Sequence, residues 1–134
     1  MEFKIRTTKV SDFNIVKKWW NAWEDGPLPT LDELPNNGLG GLMLERDGEP
    51  IAVTFLWLTN SKMGYIGYAV RDPDKSLTDD EAVSLGLQGL KTLKEWGCTS
   101  AFMITKLDRV IEKSKEYGFG FSKKEFANGF VRLV

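Results

Sequence analysis

The chain contains no histidine and a single cysteine, Cys98, in 134 residues. Without histidine, neither a Ser-His-Asp nor a Cys-His nucleophile can be assembled from this sequence. No cluster of His and Cys exists to hold zinc or an iron–sulfur centre. A lone cysteine forms no internal disulfide, which fits a reducing compartment. The formal net charge of -1 leaves no electrostatic footprint for nucleic acid. No apolar run approaches the roughly 20 residues a membrane-spanning helix needs. The opening Met1-Glu2-Phe3-Lys4 lacks the apolar core of a signal peptide. These absences lead to the expectation of a cytoplasmic protein, of a host cell or of a virus made there, with no membrane partner.

What is present belongs to a folded protein. Hydrophobic residues make up 42%, with five Trp and eight Phe, and the length suits a single domain over residues 1–134. Phe3 to Arg6 has strand character. Ser11-Asp12 is a helix N-cap signal, followed by Phe13, Val16, Trp20 and Trp23 at helical spacing, with Ile15 and Trp19 widening the apolar face. A core-facing stripe is the favoured role for these tryptophans. That helix ends at Asp25-Gly26-Pro27, and Leu28 to Asn37 reads as an irregular loop.

A β region follows. Gly41 to Arg46, Ile51 to Leu58 and Tyr65 to Val70 form a meander, its first turn marked by Asp47-Gly48. Trp57 reads as core. Thr78 with Glu81 has capping-box form and opens a helix with Val83, Leu87, Leu90 and Leu93 on its apolar face, closed at Gly97. Gly86 and Gly89 in that helix cost roughly 1 kcal/mol each against Ala and mark close packing of the helix on a sheet. Thr99 to Thr105 is a strand and Asp108 to Tyr117 a helix. Phe119 to Phe121 and Phe130 to Val134 read as a final strand pair around Asn128-Gly129. Cationic residues gather late in the chain (Lys106, Arg109, Lys113, Lys115, Lys123, Lys124). The interspersed Glu112 and Glu116 favour a solvated face over a nucleic-acid surface.

A meander followed by a β–α–β crossover specifies an α/β fold: a mixed, mostly antiparallel sheet flanked by helices. This order resembles the GNAT family of acyl-CoA N-acyltransferases, and local phrases carry the resemblance. They are Ile5-Arg6-Thr7-Thr8-Lys9-Val10-Ser11-Asp12, the hairpin from Leu44 to Ala52, Ala69-Val70-Arg71-Asp72-Pro73, Lys94-Glu95-Trp96-Gly97-Cys98 and Glu116-Tyr117-Gly118-Phe119. The resemblance implies acetyl-CoA as co-substrate and a small-molecule or protein amine as acceptor. It also implies that the fourth and fifth strands splay apart, with pantetheine in the gap along Tyr68, Ala69 and Val70. Those residues serve equally well as plain core and ladder positions.

Three departures accompany the resemblance. Where the family places an Arg/Gln-x-x-Gly-x-Gly phosphate loop, this chain has Leu77-Thr78-Asp79-Asp80-Glu81-Ala82. There Thr78, Asp79 and Asp80 would meet the phosphates; the capping box takes the amide donors that phosphate would use, and an ordinary capped helix is favoured. Lys75 and Arg71 are the compensating cations. The family's acid is a Tyr four residues before the late Gly; here that position is Ser114, and Tyr117 adjoins Gly118. Ser114 and Tyr117 are therefore the candidate acids, with packing the alternative role for Tyr117. Glu45 is the nearest candidate base, with solvated strand-edge charge as its alternative. The missing phosphate loop, the N-terminal phrase and the chain length also resemble short GNAT-like internal virion proteins of phages. That resemblance implies the rival reading of a non-catalytic scaffold acting through a protein partner.

Overall fold

The computed structural model describes residues 2–24, 28–103, 108–121 and 133. Its strands are β1 (Phe3–Thr7), β2 (Gly41–Arg46), β3 (Glu49–Leu58), β4 (Met63–Arg71) and β5 (Ser100–Phe102). Its α-helices are α1 (Asp12–Trp23), α2 (Asp79–Glu95) and α3 (Asp108–Lys115). The sheet has the order β1-β2-β3-β4-β5. Pairing is antiparallel from β1 to β4 and parallel between β4 and β5, the mixed sheet expected from the order of elements. Leu28 to Asn37, expected to be irregular, contains two short 3-10 turns, Leu31–Glu33 and Pro35–Gly38. The proposed final strand pair falls largely outside the described residues; Phe119 to Phe121 is not in a strand.

Strand alternation sends side chains to two cores. Leu42, Leu44, Ala52, Leu56 and Ile66 meet Leu85 and Leu93 of α2. Met43, Val53 and Phe55 meet Val16, Trp19 and Trp20 of α1, with Leu34 from the following loop. Both faces of β3 are therefore covered, which is why Ile51 to Leu56 is buried without a polar break other than Thr54.

Several local expectations are corrected. Ser11 has helical dihedrals and makes no side-chain cap. Asp12 instead accepts from the Lys9 amide at 2.8 Å and from both terminal nitrogens of Arg6 at 2.8 and 3.0 Å. Burial pushes the Asp12 carboxyl up, but these hydrogen bonds outweigh it and hold the group below its usual range. Trp23 is not in the core stripe: it is 44% exposed, and its indole N–H donates to the Arg71 carbonyl at 2.9 Å. The buried stripe of α2 is Glu81, Leu85, Gly89, Thr92 and Leu93, while Leu87 faces outward. Gly89 lies against Leu56 and Ile66 as a close-packing glycine should. Gly86 does not meet the sheet; it lies beneath the Tyr117 ring.

The capping box at α2 is present as expected, with Glu81 N–H donating to Thr78 Oγ1 at 3.1 Å and Thr78 N–H to Glu81 Oε1 at 2.9 Å. Arg46 grips the same carboxylate from β2, at 2.6 and 2.9 Å. The guanidinium hydrogen bonds overcome the burial penalty and hold Glu81 down at about 2.

Candidate functional site

Two irregularities of β4 create the site. The first is a β-bulge. Phe55 pairs with Gly67 and Val53 with Val70, so Tyr68 and Ala69 together oppose Thr54. Tyr68 has φ 48, in the left-handed region that non-glycine residues rarely occupy. Unbroken alternation would turn Tyr68 to the side of Ile66 and α2. The bulge turns it to the α1 side, where its ring lies 5.6 Å from Trp20 and 5.7 Å from Trp57.

The second irregularity is that the described ladder with β5 is short. Among the described residues, β5 pairs with β4 only at Met63↔Ser100, Gly64↔Ala101 and Tyr65↔Phe102. Beyond Tyr65, β4 continues for six residues to Arg71 with no β5 partner among them. A cavity of about 600 Å³ occupies this opening. Its lining includes Thr54, Ile66, Ala69 and Val70 of the sheet, residues of α2 and α3, and Trp23 of α1.

The two candidate acids meet in this cleft. The Ser114 and Tyr117 hydroxyls are 3.1 Å apart, and both residues line the cavity. Ser114 is fully buried and also donates to Met103 Sδ at 3.6 Å. The Tyr117 ring rests on Gly86 so closely that a methyl group there would come within 2.4 Å of it. Gly86 thus packs against Tyr117 at the cleft, where sequence reading assigned it to sheet packing. Thr54 has no place among the sequence candidates: it is 4% exposed, it lines the cleft, and its hydroxyl has no hydrogen-bond partner among the described residues.

The remaining candidates divide. Ala69 and Val70 line the cleft, whereas Tyr68 lines a separate cavity on the α1 side of the sheet. Glu45 lines neither cavity; it is ion-paired on the β1–β2 side with Arg6 at 3.1 Å and Lys4 at 3.7 Å. Lys75 is paired with Glu49 rather than facing the cleft. At the N-terminus of α2, Thr78 is engaged in its cap and Asp80 is exposed. Asp79 holds Lys113 of α3 at 2.9 Å, and that hydrogen bond raises the Lys113 ammonium above its ordinary value. Lys113 and Arg71 are the cations lining the cleft among the described residues. Among those residues there is no His/Cys/Asp/Glu cluster able to hold a metal and no helix long and apolar enough to cross a membrane.

No protein-family model matches the sequence, and no curated protein matches it. Solved structures do. N-acetylglutamate synthase from Neisseria gonorrhoeae, complexed with coenzyme A and N-acetyl-glutamate, superposes with a TM-score of 0.74 at 16% identity over 92% of this chain. This chain spans 29% of that larger protein. Glucosamine-6-phosphate N-acetyltransferase from Arabidopsis thaliana gives a TM-score of 0.67 at 12% identity, covering 98% of this chain and all (100%) of the other. A predicted acetyltransferase from Clostridium acetobutylicum, solved with acetyl-CoA, gives 0.64 at 15% identity, covering 96% of each chain. Strand order, the mixed pairing of the sheet and the structural neighbours together establish that this chain has the fold of the GNAT N-acetyltransferases.

Proposed function

We propose that the protein is an acyl-CoA-dependent N-acyltransferase that moves an acetyl group onto an amine. The observation that carries this reading is the cavity beside β4 beyond Tyr65, where β4 has no β5 partner among the described residues, with two hydrogen-bonded hydroxyls, Ser114 and Tyr117, in the same cleft. The residues present suit the thioester arm of acetyl-CoA. The cleft floor is mostly apolar, it borders the bulged stretch of β4, and the unpartnered Thr54 hydroxyl offers a hydrogen bond from a buried position. At the phosphate end, Arg71 and Lys113 supply positive charge in place of a glycine-rich loop.

Acetyl-CoA supplies the activated carbonyl. In the transfer, the amine nitrogen bonds to that carbon and the carbon–sulfur bond breaks. The Tyr117 hydroxyl would give its proton to the departing thiolate and regain one from water, which would also take the amine's surplus proton. Ser114 orients the phenol by the hydrogen bond between them. The cleft contributes chiefly by holding reactants in register, a source of rate that needs no ionised side chain.

A second reading is favoured by one observation: the acidic, fully capped start of α2, where Glu81 is locked to Arg46 and Asp79 to Lys113. It keeps the scaffold but discards catalysis in favour of protein contacts, as an internal virion protein of a phage would.

Thermal melting with and without acetyl-CoA separates the two. Acetyl-CoA at a hundred times its dissociation constant adds about 2.7 kcal/mol, and thiol release in the presence of an acceptor follows. A melting temperature unmoved by millimolar acetyl-CoA ends the transferase reading.

A further inference from the structure

Among the described residues, the buried hydroxyls are hydrogen-bonded with one exception. Thr8 donates to the Gly38 carbonyl at 2.6 Å and accepts from the Gly41 amide at 3.0 Å. Thr92 donates to the Gln88 carbonyl at 2.8 Å, the usual bond of a helical threonine to the preceding turn. Ser114 is bonded to Tyr117 at 3.1 Å. The exception is Thr54, whose buried oxygen has no partner among the described residues. A hydroxyl withdrawn from water with nothing in exchange costs stability, and valine would fill the same space without that cost. Local sequence supplies no reason for threonine here: Val53 and Phe55 on either side are apolar, and the strand is covered on both faces.

Position in the sheet supplies one. Thr54 shares its strand face with Ala52 and Leu56, the face that meets α2, and it lines the cleft. Across the ladder it opposes the bulged pair Tyr68 and Ala69. Ala69 and Val70 line the same cleft, so a ligand lying over this stretch of β4 has Thr54 in the surface it covers. The polar side chains that the sheet contributes to the lining are Thr54 and Arg71. Arg71 stands at the end of β4 and already donates to the Asp72 and Lys75 carbonyls. The hydroxyls of Ser114 and Tyr117 hold each other. Thr54 is left as the sheet's neutral polar group with its bonding capacity unspent. One staggered step about χ1 carries a threonine hydroxyl into the place of its methyl group without moving the backbone, so the oxygen can turn to a ligand that offers it an acceptor.

We propose that Thr54 is a binding residue of the cleft, its hydroxyl donating to a carbonyl oxygen of the acyl donor's thioester arm. The bond made on binding replaces one that folding leaves unmade, so the free protein bears the cost and the complex recovers it. Naming the ligand as a thioester arm rests on the transferase reading above; the unpartnered oxygen does not.

Melting of the free proteins and calorimetric titration with acetyl-CoA, for wild type, Thr54→Val and Thr54→Ser, test the proposal. Thr54→Val keeps the shape and removes the hydroxyl. It should raise the Tm of the free protein by about 4 °C and weaken acetyl-CoA binding about tenfold. Thr54→Ser keeps the hydroxyl and loses a methyl group. It should lower the free Tm yet bind acetyl-CoA within about twofold of wild type. A structural threonine would move stability and leave affinity alone. Unchanged affinity in Thr54→Val, an equal loss in Thr54→Ser, or a free Thr54→Val that melts no higher than wild type overturns the proposal. If wild type itself fails to bind acetyl-CoA, the transferase reading falls and takes this assignment with it. If wild type binds and Thr54→Val binds equally well, the assignment falls alone.

Discussion

The hydroxyl of Tyr117 lies 3.1 Å from that of Ser114, one turn earlier in the chain. The expected acid position is occupied by a residue too weak an acid for the task, yet it presents its oxygen to a phenol that is adequate. Tyr117→Phe removes the proposed proton donor and should lower kcat by about a hundredfold with little change in KM, as loss of a general acid does. Ser114→Ala should lower it by less, about tenfold, because the phenol remains. Steady-state kinetics with a thiol-release readout distinguishes the two. Equal losses would assign both effects to packing.

Gly86 carries a prediction of opposite sign from its helix propensity. In an exposed helix Gly→Ala gains about 1 kcal/mol. Here the new methyl would come within 2.4 Å of the Tyr117 ring. Gly86→Ala should therefore displace that ring and abolish most activity, with no net gain in Tm. In a Tyr117→Ser background the same change should be stabilising. Melting curves of the single and double variants test this.

The Glu81 carboxyl titrates at about 2 in the folded chain, held down first by the Arg46 side chain, against 4.5 ordinarily. A group whose pKa is depressed by folding contributes stability that is complete above its unfolded value and is lost as pH falls toward its folded one. Urea unfolding between pH 7 and pH 2 should show a loss on the order of 2 kcal/mol across the window from about 4.5 to about 2. Glu81→Gln should be destabilised at pH 7 and flatten that window.

Asp79 competes with any anionic ligand for Lys113, which it holds at 2.9 Å. Asp79→Asn should release that ammonium to the cleft and tighten acetyl-CoA binding about fivefold at low salt, an effect that fades as ionic strength rises. Calorimetry at two salt concentrations reads it. An unchanged affinity would place the phosphates elsewhere.

Trp23 links the end of α1 to the end of β4, through its N–H on the Arg71 carbonyl at 2.9 Å and the Arg71 guanidinium 4.7 Å from its ring. Trp23→Phe loses the hydrogen bond but keeps a ring, and should cost about 1 kcal/mol of stability. Trp23→Ala should also weaken acetyl-CoA binding, because Arg71 loses the surface that holds it at the cleft.

Local physics made the elements legible. The Asp47-Gly48 turn, the Thr78/Glu81 capping box and the apolar run of β3 are short-range instructions, each written in neighbouring residues. Their order sufficed for the fold, because a meander and a crossover leave few ways to cover both faces of one sheet. Periodicity failed where side chains answer to distant partners. Trp23 has helical core spacing but is claimed by the Arg71 carbonyl, and Trp57 continues a buried strand but stands where the sheet meets an open cavity.

By composition and pattern alone, the sequence determined that chemistry requiring histidine or a cysteine cluster was closed to this chain, and that a mixed sheet would lie between helices. Tertiary structure decided how the candidate residues come together. A two-residue bulge opposite Thr54 turned Tyr68 to the far face, and the described β4–β5 ladder ended at Tyr65 beside a cavity. Packing of Tyr117 on Gly86 brought a phenol to Ser114. None of these can be read along the chain, because each is settled by which surfaces fit together once the strands have paired, not by the preference of any residue for its neighbours.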